Sequence, residues 1–545
     1  MLQIITGKFY GDGERIHTEC NGILYSNARF YSIKPIEYGN IKINTVDWNT
    51  GLPSFVISYD NCIERVHQDN FLVKVGDNVI LEQLKNILSF SLDSFFDENE
   101  AVVESICRQE KNNEKLISSY VDKTFDMNRH LTVEEWNKSI SFYNKMMSLK
   151  RDDYIVVMRC LAAYSSSFKV FSNDISLAYS ILVYILETLS TNFDNYTTSW
   201  NDYEQNKRVK IDKELEKIDV SIAENIRNIL ITNEHLKLSR RFSEFVFNYV
   251  DDDYYNATGK KQITEDEMFQ AVSKAYVFRS KYAHKLQPIM KQLSNPNISK
   301  NSDLFEWQHE VFFTYSGLLR ITRTVLYNFI MSRQNTEEEL IDWYSELPGM
   351  IDIELHPQNW LGKNIDFQFN SIYKNMSAFL YCFEKEKKVP NLNLLAEHYL
   401  NNIMAIKESD RRMAYTLCWI YVNCVSGNDS EYVKNMQKKL LEYQELNDVC
   451  DMATLIGKYY GMPTKDFTAE EVIPIIDAYN KSKFKNNRLK IPATLENKIY
   501  LLIANCYEDD NPVEKKKWLN KAYKNAVNDK ELQSCILNML NEIKV

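Results

Sequence analysis

A chain of 545 residues is too long for one ordinary hydrophobic core, and its length predicts about two to four domains. Its 65 basic and 75 acidic residues leave a net charge of -10. That balance argues against a general, high-affinity nucleic-acid coat but leaves room for an enzyme holding a few phosphates in one cleft. Only 14 glycines and 11 prolines punctuate the chain, and long stretches free of both favour helices, whose interiors each disrupts.

The first part of the chain differs from the rest. Gly7, Gly11, Gly13, Gly22, Gly39 and Gly51 separate short apolar runs. Lys42–Val46, Phe55–Ser58 and Phe71–Val75 are rich in β-branched or aromatic residues and read as strands between turns. A β-rich or mixed domain with a helical extension is therefore expected over residues 1–140. The opening Met1-Leu2-Gln3 has no basic region leading into a long apolar run, so no secretory signal is expected. No run reaches the length of a membrane span. The ten cysteines are scattered without metal-ligand spacing. As core thiols they fit a reducing, cytoplasmic compartment.

Helical signals then dominate. Thr132-Val133-Glu134-Glu135 opens a helix with an N-cap Thr and a Glu at N3. Helices follow over Val133–Leu149, Asp152–Ser165 and Leu177–Leu189, the last strongly apolar and relieved mainly by Glu187. Tyr196–Leu215 reads as a loop and an exposed helix, and Ala223–Leu230 and His235–Tyr249 as further helices. The acidic stretch Asp251–Gly259 reads as a loop, and an acidic triplet is more often solvated surface than metal site. A new helix starts near Thr264, with Glu265 and Glu267 where its dipole favours negative charge. Ser294–Ser302 reads as a loop and Trp307–Ile330 as one long helix. From about residue 336 the chain is almost wholly helical after the connectors at Leu347-Pro348-Gly349 and His356-Pro357. There Ile499–Tyr507 and Lys516–Ala526 resemble one unit of a tetratricopeptide-like array. Plain bundle packing accounts for that periodicity almost as well.

The segment able to carry chemistry reads Lys274-Ala275-Tyr276-Val277-Phe278-Arg279-Ser280-Lys281-Tyr282-Ala283-His284. An imidazole can give or take a proton near neutral pH. A guanidinium can hold a phosphate in two contacts and stabilise charge gathering on it. On an ideal helix Arg279 and His284 point about 140° apart. They face one cleft only if the helix end bends or a second subunit packs across it. Alone, the pair also fits a surface arginine and a helix-end histidine, since cations are favoured there. The remaining histidines have no cysteine or histidine partners in sequence. There is no glycine-rich phosphate loop, dinucleotide fingerprint or serine-hydrolase elbow, which disfavours ATP or NAD chemistry.

Arg279, Ser280 and His284, with an aromatic before the Arg-Ser pair, resemble the motif of the HEPN superfamily, most closely its Apea-like branch. Family members often carry glycine directly after the histidine; this chain has Lys285. The resemblance covers residues 145–332 and implies a compact helical bundle there, in which the Leu177–Leu189 helix matches an early family helix closing in an acidic residue. It further implies metal-independent RNA cleavage, with no cofactor, in a cleft formed by two motifs packed face to face. The partners implied are an RNA substrate, a second copy in a homodimer or higher even-numbered oligomer, and a regulatory or inhibitory protein. His284 would be general acid or base and Arg279 would bind the scissile phosphate. Ser280 and Tyr282 would assist by hydrogen bonding, Lys281 would contact RNA backbone, and Glu187 would orient Arg279 across the bundle. The bland alternatives are a solvated hydroxyl, a packed aromatic, a surface lysine and an unrelated salt bridge. The whole then reads as a mostly α protein: the β-rich or mixed region, the helical bundle at 145–332 and a C-terminal helical domain at 336–545. The role implied is an endoribonuclease effector of antiviral defence or a toxin. The competing role is a non-catalytic helical interaction or dimerisation protein.

Overall fold

The structure, a computed structural model of the chain, describes all residues except 47–50, 66–76, 111–112, 194–198, 201–204, 234–237, 257–262, 349–354, 364–370, 426–429, 486–487, 508–510 and 544–545. Most described residues are helical, and a β-sheet lies near the N-terminus. The chain divides into two compact units, Met1–Ile351 and Asp352–Val545.

Alternation of buried and exposed residues builds the sheet of the first unit. Phe55, Ile57 and Tyr59 turn inward along the strand Ser54–Asp60, and Ile41 and Ile43 do so along Ile41–Val46. Five strands pair antiparallel in the order Ile36–Tyr38, Ile41–Val46, Ser54–Asp60, Glu19–Ser26, Phe96–Asp97. The expected strands at Lys42–Val46 and Phe55–Ser58 lie within this sheet, whereas Phe71–Val75 falls outside the described residues. The helix Asp77–Ser91 lies on the sheet at Gly22, where a Cβ would stand 2.4 Å from a Leu81 methyl.

The Thr132 capping box forms as expected and starts the helix Val133–Ser148. That helix joins the sheet to the central helices. Trp136 packs near Phe55 and Tyr38 of the sheet, while Phe142 stacks on Tyr327 at 5.7 Å. One hydrophobic core consequently runs from Met1 to Leu347, through both regions that the sequence reading set apart near residue 140. Helices Arg151–Phe171 and Ile175–Phe193 form a packed pair. Leu238–Asn248, Glu265–Lys285 and Tyr315–Ser332 pack around the second of these. Its apolar face buries Tyr179, Leu182, Val183, Leu186 and Leu189. Burial of each aliphatic side chain stabilises by about 1.5–3 kcal/mol relative to exposure.

Three expectations change. Trp307–Ile330 is not one helix: Leu304–Trp307 and Glu310–Phe313 pair as a hairpin, and the helix starts at Tyr315 behind the N-cap Thr314. The run Val311-Phe312-Phe313 suits a strand, and Gln308 and His309 turn it with φ of 51° and 64°. Ser294–Ser302 contains the short helix Pro296–Asn301, capped by Asn295. Within the acidic stretch, Asp252–Tyr255 makes a single helical turn capped by Asp251, while its end lies outside the described residues.

The second unit is helical from Pro357–Trp360 through Lys530–Glu542. Ala493–Cys506 and Pro512–Asn525 pack as a pair, with Ala504 and Ala522 buried and Tyr500 6.0 Å from Trp518.

Candidate active site

The motif helix Glu265–Lys285 is held at both ends. Thr264 and Glu267 form a reciprocal capping box at its start, and Glu265 and Asp266 add favourable negative charge in the first turn. Met268, Ala271, Val272 and Ala275 bury one face. Phe278 continues it by stacking on Phe312 of the hairpin at 5.4 Å and 16°. The helix runs unbroken through Lys285, and the left-handed residue that ends it is Leu286, with φ of 51°. Its N–H donates to the Tyr282 carbonyl at 2.9 Å. The left-handed turn thus falls on a leucine rather than on a glycine.

Arg279 faces inward. Its guanidinium forms an ion pair with Glu187 of the neighbouring helix, and the side chains are 15% and 19% exposed. The guanidinium carbon lies 4.6 Å from the Tyr184 ring centre and 5.5 Å from that of Tyr276. Its Nε is buried without a hydrogen-bond partner. Burial lowers the pKa of this guanidinium, and the neighbouring Tyr184 opposes that shift. An arginine nonetheless keeps its charge.

Tyr282 ties down the end of the helix. Its hydroxyl donates to Asp174 Oδ2 at 2.7 Å. The other oxygen of Asp174 accepts from the N–H groups of Ser176 and Leu177, at 2.8 and 3.0 Å, and so caps the Glu187 helix. Just beyond the motif, the Ile289 N–H donates to Ser176 Oγ at 3.1 Å. Arg279 and Tyr282 thus reach the same neighbouring helix at two points.

His284 looks the other way. It is exposed and, with Tyr276, Val277, Ser280, Lys281 and Lys285, lines an open depression of about 380 Å³. Ser280 and His284 are four residues apart, hence one turn apart on the same side of the helix. Lys281 and Lys285, also exposed, give this side a cationic character. Within one chain, then, the guanidinium and the imidazole occupy different surroundings, as their spacing implies for an unbent helix. Tyr276 is their shared neighbour, lying against Arg279 and lining the depression.

The structure brings together Arg279 with Glu187, and His284 with Ser280 and Lys281. It directs Tyr282 to Asp174 instead. Sequence reasoning missed Tyr184 and Tyr276, although each sits three residues before a member of the ion pair and hence on the same side of its helix. It also missed Asp174, a polar residue just before an apolar helical run and so a recognisable N-cap.

No protein family, curated protein or solved structure matches this chain.

Proposed function

We propose that the chain is a metal-independent endoribonuclease in which the side of the motif helix bearing His284 meets RNA. The observation carrying this reading is the pairing of an exposed, lysine-flanked imidazole with an arginine braced from behind on a single helix. His284 takes the proton of a ribose 2′-hydroxyl, whose oxygen then attacks the adjacent phosphorus. The bond from phosphorus to the 5′-oxygen breaks, and that oxygen gains a proton. The products are a 2′,3′-cyclic phosphate and a 5′-hydroxyl. General acid–base help of this kind contributes about 10²–10⁴-fold to rate.

Arg279 would neutralise charge gathering on the phosphate, which requires its guanidinium to leave Glu187 and turn toward the cleft. Because Arg279 and His284 lie on different sides of an unbroken helix, the reading includes a second copy whose motif completes the cleft. Ser280 would hydrogen-bond within it, Lys281 would meet RNA backbone, and Tyr282 acts by holding the helix end. Purified wild-type chain is expected to cleave RNA in EDTA, with R279A and H284A each losing most of that activity. Undiminished cleavage by both variants would remove the assignment.

A second reading has its own observation. Arg279 is already occupied by Glu187 and flanked by two tyrosines, an arrangement that also serves as a structural tie in a non-catalytic interaction protein. On that reading R279A unfolds the bundle locally, while H284A changes nothing measurable in RNA.

A further inference from the structure

One histidine and one cysteine distant in sequence are brought together by strand register. Ile16 pairs with Ile63, and Glu19 pairs with Asp60. Between these pairs the Asn61 N–H donates to the Thr18 carbonyl at 2.8 Å, so the two strands stay in step. His17 therefore stands opposite Cys62. Asp60 and Cys62, two residues apart where the chain passes from the strand Ser54–Asp60 to the strand Ile63–Glu64, project to the same side. The result is an imidazole, a carboxylate and a thiol whose ligating atoms all lie within 4.8 Å of one another. Backbone contacts hold the arrangement: the Cys62 carbonyl accepts from the Tyr10 hydroxyl at 2.7 Å. His17 Nδ1 already meets Asp60 Oδ2 at 2.6 Å, with side chains 62% and 48% exposed.

An exposed histidine–aspartate pair alone stabilises little. The thiol changes its chemistry. Nitrogen, oxygen and sulfur donors in one cluster match a borderline-soft divalent ion, and three protein ligands leave a fourth tetrahedral position for water. Ligand atoms about 2.0–2.3 Å from zinc stand about 3.3–3.8 Å apart at tetrahedral angles. Reaching that spacing requires the exposed His17 and Asp60 side chains to rotate apart from their present 2.6 Å contact.

We propose that His17, Asp60 and Cys62 form a binding site for a zinc-class divalent transition-metal ion, with water completing the tetrahedron. The Cys62 thiol releases its proton to solvent as it binds, and the metal separates His17 from Asp60 by replacing their hydrogen bond. The site belongs to the strand pair near the N-terminus and is independent of the motif helix and of the RNA chemistry assigned to it.

Cobalt(II) titration of the purified full-length chain tests this directly. Cobalt in such a site is expected to give a near-ultraviolet thiolate-to-metal charge-transfer band and intense visible bands at one equivalent, both removed by added zinc. C62S is expected to lose the charge-transfer band. H17Q and D60N, which change exposed side chains and leave the strands intact, are expected to bind cobalt about tenfold more weakly or worse. Far-ultraviolet circular dichroism establishes that each variant is folded, and the two exposed variants carry the test if C62S is not. No thiolate band in the wild type, an undiminished band in folded C62S, or wild-type titration curves for H17Q and D60N would each overturn the proposal.

Discussion

The cross-helix pair between Arg279 and Glu187 permits a quantitative test of how the motif helix is held. An exposed ion pair is worth about 0–1 kcal/mol, whereas removing one partner of a fully buried pair costs about 3–5 kcal/mol. With side chains 15% and 19% exposed, this pair lies between those limits, toward the buried end. Replacing Glu187 by glutamine leaves Arg279 charged between two tyrosine rings, but the glutamine amide oxygen still offers it a hydrogen-bond acceptor, which offsets part of the loss. The expected cost of E187Q is therefore about 2 kcal/mol. In a unit of this size that lowers Tm by about 3 °C. Arg279→Met removes the charge but keeps much of the apolar stem, so the double variant should recover part of the loss. A double-mutant cycle of E187Q and R279M, followed by urea unfolding, is expected to give a coupling energy of about 2 kcal/mol. Coupling below about 0.5 kcal/mol would refute the claim that this pair braces the motif helix.

Leu286 is exposed and left-handed, so Leu286→Gly should raise stability by about 1 kcal/mol; a fall in Tm would contradict the strained cap. Tyr282→Phe removes a hydroxyl that donates to a carboxylate and should cost about 1.5 kcal/mol near neutral pH. The phenol of Tyr282 is pushed up to about 12 from 10.0, chiefly by that hydrogen bond. An acid raised on folding stabilises below its unfolded pKa and loses that contribution as pH climbs through the folded value. The stability gap between wild type and Y282F should accordingly narrow from pH 10.0 to about 12, and a gap constant over that range in denaturant titrations would be the wrong result. Gly22→Ala drives a methyl against Leu81 and should cost about 1–3 kcal/mol by thermal melting, with no cost if the helix does not rest on the strand. If the cleft is shared between two copies, co-expressed R279A and H284A chains should recover part of the RNA cleavage that each lacks alone. Mixed dimers as inactive as either parent would place both groups in one chain's site.

Where local chemistry decides structure, the sequence was readable. Thr132 with Glu135, and Thr264 with Glu267, announce helix starts that form as capping boxes. The alternation through Ile41–Val46 and Ser54–Asp60 announces the sheet. Glu187 stands out in sequence as the single charge in an apolar helical run, and it forms an ion pair with Arg279. Tertiary context decided the rest. Val311-Phe312-Phe313 has the apolar character of a helix continuation, yet it makes a strand whose Phe312 covers Phe278. The continuity of the core across residue 140 depends on Trp136 and Phe142 facing opposite partners, which no local pattern encodes. The cluster at His17, Asp60 and Cys62 was hidden for the same reason: strand register, not sequence spacing, joins it.

The most direct measurement of the central claim is end-group analysis of a defined RNA incubated with the purified chain in EDTA. The account predicts fragments ending in 2′,3′-cyclic phosphate and beginning with 5′-hydroxyl, formed by the wild type and not by folded H284A. No fragments from the wild type, 3′-hydroxyl and 5′-phosphate ends, or equal fragmentation by H284A would contradict it.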